Sequence, residues 1–336
     1  MTLSPAMIGE AVRGVMSLDE DQPLEIVSIV RGGSARSFYR VRYGGQGASL
    51  VFVHYSSDRR ENKYYAALAG FLQDAGIAVP RILHHDAVRG FLLLEDLGED
   101  DLWHHRREAW DRRRKYYFQT LEMIRKLHMV KEEAPRLAGI PLMEAFDLAL
   151  YRWERQYFLE HFVRGVCGIE LKSAEAEALE GELALLAEEL AGMPSCLIHR
   201  DLQSQNVMIR GGAPVLIDFQ GMRFGHPCYD LGSLLYDPYV SFSGSEREEL
   251  LQHYYNAVPC PGFGLDHFRE IFRQAAVQRL MQALGAYGFL GRQRSHPEFL
   301  GHIPSGLANL IEAAERNPRL SRIRKLALRC RERLNA

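Results

Sequence analysis

Apolar and polar positions alternate with a period of two, or apolar β-branched and aromatic residues run together, over residues 24–30, 37–43, 50–55, 81–85 and 91–95. That spacing predicts strands. Gly32-Gly33 and Gly44-Gly45 punctuate the first three as turns. Within residues 59–74, Tyr64, Leu68, Phe71 and Leu72 recur at helical spacing, and Gly76 follows as a stop. Ser4-Pro5 reads as an N-cap followed by proline at the first helical position. After Gly98 the pattern becomes that of long helices, over residues 109–130, 142–163, 174–191, 229–239, 246–257, 265–290, 297–316 and 320–333. The chain therefore reads as α+β in two lobes. Residues 1–96 form a small antiparallel sheet with one helix, and residues 97–336 form a large, mainly helical lobe. A nucleotide would sit in the cleft between them.

One stretch interrupts the helical half. The apolar approach 194–198 leads into His199-Arg200-Asp201-Leu202-Gln203-Ser204-Gln205-Asn206. Two β-branched runs follow, 207–209 and 215–217, split by the turn signal Arg210-Gly211-Gly212-Ala213-Pro214. Asp218-Phe219-Gln220 leaves the second run. The order H-R-D-x-x-x-x-N and then a second acidic residue before Phe matches the needs of phosphoryl transfer. One carboxylate, Asp201, accepts the proton of the attacking hydroxyl. The amide oxygen of Asn206 and the carboxylate of Asp218 hold Mg²⁺ against the phosphates of ATP. Chance agreement at these offsets in a chain this long is on the order of one in ten thousand.

These residues resemble the aminoglycoside phosphotransferase family, small-molecule relatives of the protein kinases, over residues 28–290. Within it, Gly33-Ser34-Ala35-Arg36-Ser37-Phe38-Tyr39-Arg40-Val41, Gly90-Phe91-Leu92-Leu93-Leu94-Glu95-Asp96-Leu97-Gly98 and Leu284-Gly285-Ala286-Tyr287-Gly288 look most like the N-acetylmuramate/N-acetylglucosamine kinases. The resemblance implies a bilobal protein-kinase-like fold. It implies phosphate contacts from Gly32, Gly33, Ser34 and Ser37, and adenine contacts from a hinge at Glu95, Asp96 and Leu97. It implies supporting roles for His199 and Arg200, and for Asp230 as the residue that ties down the catalytic loop. Protein kinases carry a Lys on the third strand, paired with a helix Glu. Here that strand, 50–55, has no Lys, as in the amino-sugar kinases it resembles, and Glu61 stands where the partner would be. Arg59, Arg60 and Lys63 are candidates for the missing positive charge.

Composition narrows the partners. Lys and Arg number 41 against 43 Asp and Glu, which gives no reason to expect nucleic acid. No apolar run is long enough to span a membrane, and residues 1–16 lack the features of a secretory signal. Five widely spaced cysteines without a C-x-x-C read as the reduced thiols of a cytoplasmic protein; a monomer or weak dimer is expected. Aminoglycosides are polycations and call for acidic surfaces. From Asp237 onward basic residues outnumber acidic ones, with Arg273, Arg279, Arg292 and Arg294 near the acceptor side. Gln203, Gln205 and Gln220 stand beside the catalytic groups, able to bond sugar hydroxyls. The sequence thus points to an ATP- and Mg²⁺-dependent kinase acting on an amino sugar at its anomeric hydroxyl. An antibiotic kinase and a nucleotide-binding pseudokinase that regulates a partner are the alternatives.

Overall fold

The computed structural model describes residues 3–29, 36–45, 47–258, 264–294 and 296–335. Its first part is a 5-stranded antiparallel sheet in the order β1-β2-β3-β5-β4. The strands are β1 (Leu24–Ile29), β2 (Ser37–Tyr43), β3 (Ala48–His54), β4 (Ile82–Asp86) and β5 (Phe91–Glu95). Both faces of this sheet are covered. Helix α1 (Pro5–Met16) lays Ile8 and Val12, each 0% exposed, on Val41, Leu50, Phe52, Phe91 and Leu93. Complete burial of two such side chains contributes roughly 1.5–3 kcal/mol each. The Ser4 hydroxyl caps α1 by accepting the Met7 N–H. A 3-10 turn, Arg60–Tyr64, and α2 (Tyr65–Asp74) cover the other face, where Val53, Leu92 and Leu94 join Leu68 and Leu72. The expectation of one helix in this lobe is therefore corrected to two. An alternating sheet with apolar residues on both faces needs a layer on each side.

The remaining chain is mainly helical: α3 (Trp110–His128), α4 (Glu133–Leu137), α5 (Leu148–Tyr157), α6 (Ser173–Ala191), α7 (Pro227–Leu235), α8 (Gly244–Ala257), α9 (Leu265–Gln293), α10 (Ile303–Glu315) and α11 (Ser321–Asn335). α5 continues as a π-helical segment, Phe158–Arg164. The helix expected from residue 142 begins only at Leu148, capped by the Asp147 carboxylate. Residues 143–146 run beside residues 222–224 instead, with Met143 N–H donating to the Met222 carbonyl at 3.2 Å and Phe146 N–H to that of Phe224 at 2.8 Å. The apolar spacing of this segment reflects burial against a neighbouring strand, which helical periodicity cannot distinguish from a helix face.

α9 is the axis of this lobe. Sixteen of its residues are buried between α7, α10 and the π-helical segment. Two close approaches need glycine. A Cβ on Gly232 of α7 would stand 2.9 Å from the Cα of Ala276, and one on Gly288 would stand 2.3 Å from the carbonyl oxygen of His161. The first fixes how near α7 lies to α9. Four short strands form two 2-stranded sheets: β6 (Cys196–Ile198) pairs with β9 (Arg223–Gly225), and β7 (Val207–Arg210) pairs with β8 (Ala213–Leu216) as a hairpin. The hairpin is tied to the chain that leaves β5, with Leu102 N–H donating to the Val207 carbonyl and Ile209 N–H to that of Asp100, and to the segment before β4, with Leu216 N–H donating to the Ala78 carbonyl. No helix among the described residues is long and apolar enough to cross a membrane.

Candidate active site

The loop from β6 to β7 carries His199, Arg200, Asp201 and Asn206, and its shape is set from beneath by buried carboxylates. Asp230 lies in the first turn of α7, whose N-terminus is fixed by Pro227 and by the His226 ring accepting the Cys228 N–H. Asp230 is 0% exposed. It accepts the backbone N–H groups of His199 and Arg200, each at 2.7 Å, and lies 3.1 Å from His128 Nε2. Arg200 takes the left-handed conformation, φ 77°, which is costly for a residue with a Cβ. Asp237 repeats the device downstream, accepting the Ser204 N–H at 2.7 Å and the Tyr239 N–H at 3.1 Å. Its burial pushes its carboxyl up to about 6, against these bonds. His199 is fully buried, with Nε2 3.0 Å from the Ile217 carbonyl. A carbonyl oxygen accepts only, so Nε2 carries the proton, and the ring links the loop to the strand before Asp218.

Asp201 faces outward with a side chain 27% exposed. Arg200 donates to its Oδ2 at 3.1 Å, and Arg279, from α9, stands 3.5 Å from its Oδ1. Arg279 is 4% exposed and also donates to the Ser233 hydroxyl and the Gln282 amide oxygen. A further buried guanidinium, Arg223, bonds the Gly221 carbonyl, and burial, then Arg200, depress its pKa. The balancing carboxylate is Glu154 of α5, 0% exposed, which accepts from Tyr229 and Gln278 at 2.9 Å each. Burial raises the pKa of Glu154 against the pull of Arg200 and Arg279. The surroundings of Asp201 are thus rich in positive charge.

Asn206 donates its amide N–H to the Asp201 carbonyl at 2.9 Å. That bond commits the nitrogen to the loop and leaves the amide oxygen as the donor for a cation. Asp218 follows β8 in the left-handed conformation, φ 63°. Its Oδ1 accepts from Gln220 at 2.9 Å and pairs with the guanidinium of Arg36, which arrives from the sheet lobe. Burial alone would raise the Asp218 pKa, but Arg36 and Gln220 outweigh it and hold the carboxyl below its ordinary value. Phe219 turns inward and packs on Tyr65 of α2 with ring centroids 4.6 Å apart. Among the described residues no group of three or more His, Cys, Asp or Glu side chains converges. The donors on offer are one carboxylate and one amide oxygen. That set suits Mg²⁺, which keeps waters and takes its remaining ligands from phosphates.

The other expected residues are placed as follows. Glu95 accepts the Arg81 N–H at 2.8 Å and pairs with Arg210. Asp96 pairs with Arg40 at 2.7 Å and accepts the Gly98 N–H at 3.0 Å. Both hinge carboxylates are engaged within the protein, so an adenine edge there would meet backbone groups beside the half-buried Leu97. Ser37 opens β2, opposite His54. Gly32, Gly33 and Ser34 lie outside the described residues, as does Cys260. Gln203 and Gln205 are half-buried on the loop, whereas Gln220 is buried and spent on Asp218. Glu61 lies 3.6 Å from Arg59. Arg60 reaches Glu144 and Tyr64. The cation that meets Asp218 is Arg36, which sequence reasoning did not single out. Arg223, Glu154 and Asp237 were likewise missed, and Arg279 was legible only as one of several basic residues.

Comparison with known proteins bears on this geometry. The phosphotransferase enzyme family, APH, matches residues 26–271. The N-acetylmuramate/N-acetylglucosamine kinase of Pseudomonas aeruginosa is 27% identical over 314 residues, covering 91% of this chain and 89% of its own. A choline/ethanolamine kinase family protein from Mesorhizobium loti superposes with a TM-score of 0.62 at 19% identity, over 97% of this chain and 99% of that one. An ADP-bound aminoglycoside phosphotransferase gives a TM-score of 0.58 at 14% identity, over 92% of this chain and 99% of that one. At such identities the two structures speak for the fold alone.

Proposed function

From a chain that belongs to the phosphotransferase enzyme family, we infer an ATP- and Mg²⁺-dependent kinase that phosphorylates the anomeric hydroxyl of an amino sugar, N-acetylmuramate or N-acetylglucosamine. The observation that carries this reading is the Asp201 carboxylate, flanked by Arg200 and Arg279, on the same loop as Asn206, whose amide bonds the Asp201 main-chain carbonyl. Asp201 orients the acceptor hydroxyl and takes its proton late, since the loose transition state asks for little deprotonation. Arg200 and Arg279 hold the Asp201 oxygens in place and favour an acceptor that is neutral or anionic. Asn206 and Asp218 would hold Mg²⁺, which when bound screens charge on the phosphoryl group. Asp230 and Asp237 hold the loop itself.

The basic surroundings of Asp201 speak against a polycationic antibiotic as acceptor, since like charge repels it from a partly buried site. The relative that spans nine-tenths of this chain bears the name N-acetylmuramate/N-acetylglucosamine kinase, which supports the amino-sugar reading. The test is ADP release in the presence of ATP, Mg²⁺ and each acceptor in turn. Turnover with the acetylated amino sugars and none with kanamycin is expected. Turnover with kanamycin alone overturns the acceptor assignment.

A further inference from the structure

The third strand, where a protein kinase places its phosphate-binding Lys, runs Ala48–His54 and carries none. Of the cations in and beside the 3-10 turn, Arg59 lies by Glu61, Arg60 reaches Glu144 and Lys63 is exposed. Arg36 precedes β2 and crosses 182 positions of sequence to pair with Asp218. Its side chain is 11% exposed, and its guanidinium lies 5.5 Å from the centre of the Phe38 ring. A long basic side chain loses much rotamer freedom when held this way, so this placement is a specific one.

The pair has a consequence for the metal. Oδ1 of Asp218 is already shared by Arg36 and Gln220. A divalent cation brought to the same carboxylate meets the guanidinium charge and is repelled by it. A nucleotide changes the balance, because its phosphates offer the planar guanidinium fork two anionic oxygens to bond at once. We propose that Arg36 is the phosphate-binding cation of this enzyme, standing in for the strand Lys, and that without nucleotide it caps Asp218. Nucleotide arrival moves Arg36 from carboxylate to phosphate and frees Asp218 for the metal, so metal and nucleotide bind together. This rests on the kinase reading above.

The test compares full-length wild type, Arg36→Met and Arg36→Lys by calorimetry with adenosine and with ATP and Mg²⁺, and by electron paramagnetic resonance with Mn²⁺ alone. Arg36→Met is expected to bind adenosine as wild type does and ATP about 10- to 100-fold more weakly, the range for a charge-assisted bond. Arg36→Lys should recover part of the loss. Mn²⁺ alone should bind Arg36→Met more tightly than wild type. An unchanged ratio of ATP to adenosine affinity in both variants, with wild type binding ATP, overturns the phosphate role alone. Unchanged or weaker Mn²⁺ binding overturns the capping role. Wild type that binds no nucleotide overturns the kinase reading and this proposal with it. Retained adenosine binding reports that each variant is folded.

Discussion

The Asp230 carboxylate accepts the Arg200 backbone N–H at 2.7 Å, and Arg200 sits at φ 77°. The two facts belong together. A left-handed non-glycine residue directly before Asp201 persists only where surrounding bonds over-determine it, and Asp230 supplies two of those bonds from a fully buried position. Strain in the loop is thereby converted into aim for the next side chain.

Asp230→Ala should therefore leave two buried N–H groups and His128 without their acceptor. A loss of about 3–5 kcal/mol in unfolding free energy is expected, the range for breaking a buried charged partnership. Chemical denaturation measures it. A variant as stable as wild type, with unchanged kcat, would show that the loop holds its shape without Asp230.

Asp201 and Asp218 should fail in different ways. Asp201→Ala is expected to lower kcat by roughly 10²–10⁴-fold, the span of general base catalysis, while nucleotide affinity stays near normal. Asp218→Ala should instead lose the Mg²⁺-dependent part of nucleotide binding. Calorimetry with and without Mg²⁺ separates them, and an Asp201→Ala protein with full turnover would remove the base assignment.

Much of this site was readable because its chemistry is local. Asp201, Asn206 and Asp218 lie within a short span, at the offsets that phosphoryl transfer would ask for, and the strands of the sheet announce themselves by alternation. The missing parts come from far away in the chain. Arg36 meets Asp218 across 182 positions and Arg279 meets Asp201 across 78. Neither lies in a pattern that distinguishes it from an ordinary surface arginine. The extended run before Leu148 carries helical spacing in the sequence for a related reason: its partner, residues 222–224, is set by tertiary pairing. The second cover on the sheet, α1, was signalled by Ser4-Pro5 but not its destination against Phe52 and Leu93.

Arg279 gives a test of acceptor charge. It stands 3.5 Å from Asp201 Oδ1 and is almost wholly buried. Arg279→Met should raise KM for N-acetylmuramate, which bears a carboxylate, by about 10- to 100-fold, and raise that for neutral N-acetylglucosamine less. KM for ATP should not move. Equal losses for the two sugars would show that Arg279 acts only by packing.

Asp237 sets a pH dependence. Its carboxyl is pushed up to about 6 by burial, from an ordinary 3.8. Between these values the folded protein keeps a proton that the unfolded chain has released. Stability from this group is therefore full below the ordinary value, falls as pH rises through the window, and is flat above it. The shift corresponds to on the order of 3 kcal/mol. Asp237→Asn, which cannot titrate, should gain on wild type by that order as pH rises across the window, read from paired denaturation curves. Curves that stay parallel would mean the carboxylate is ionised throughout.

The central claim is transfer of phosphate from ATP to an amino-sugar hydroxyl, and phosphorus NMR of the purified protein with ATP and Mg²⁺ tests it directly. N-acetylmuramate, N-acetylglucosamine and kanamycin are supplied separately. The account predicts a new sugar 1-phosphate resonance with an acetylated amino sugar and none with kanamycin. A phosphorylated kanamycin signal alone, or ATP left intact with every sugar while it binds the protein, would contradict it.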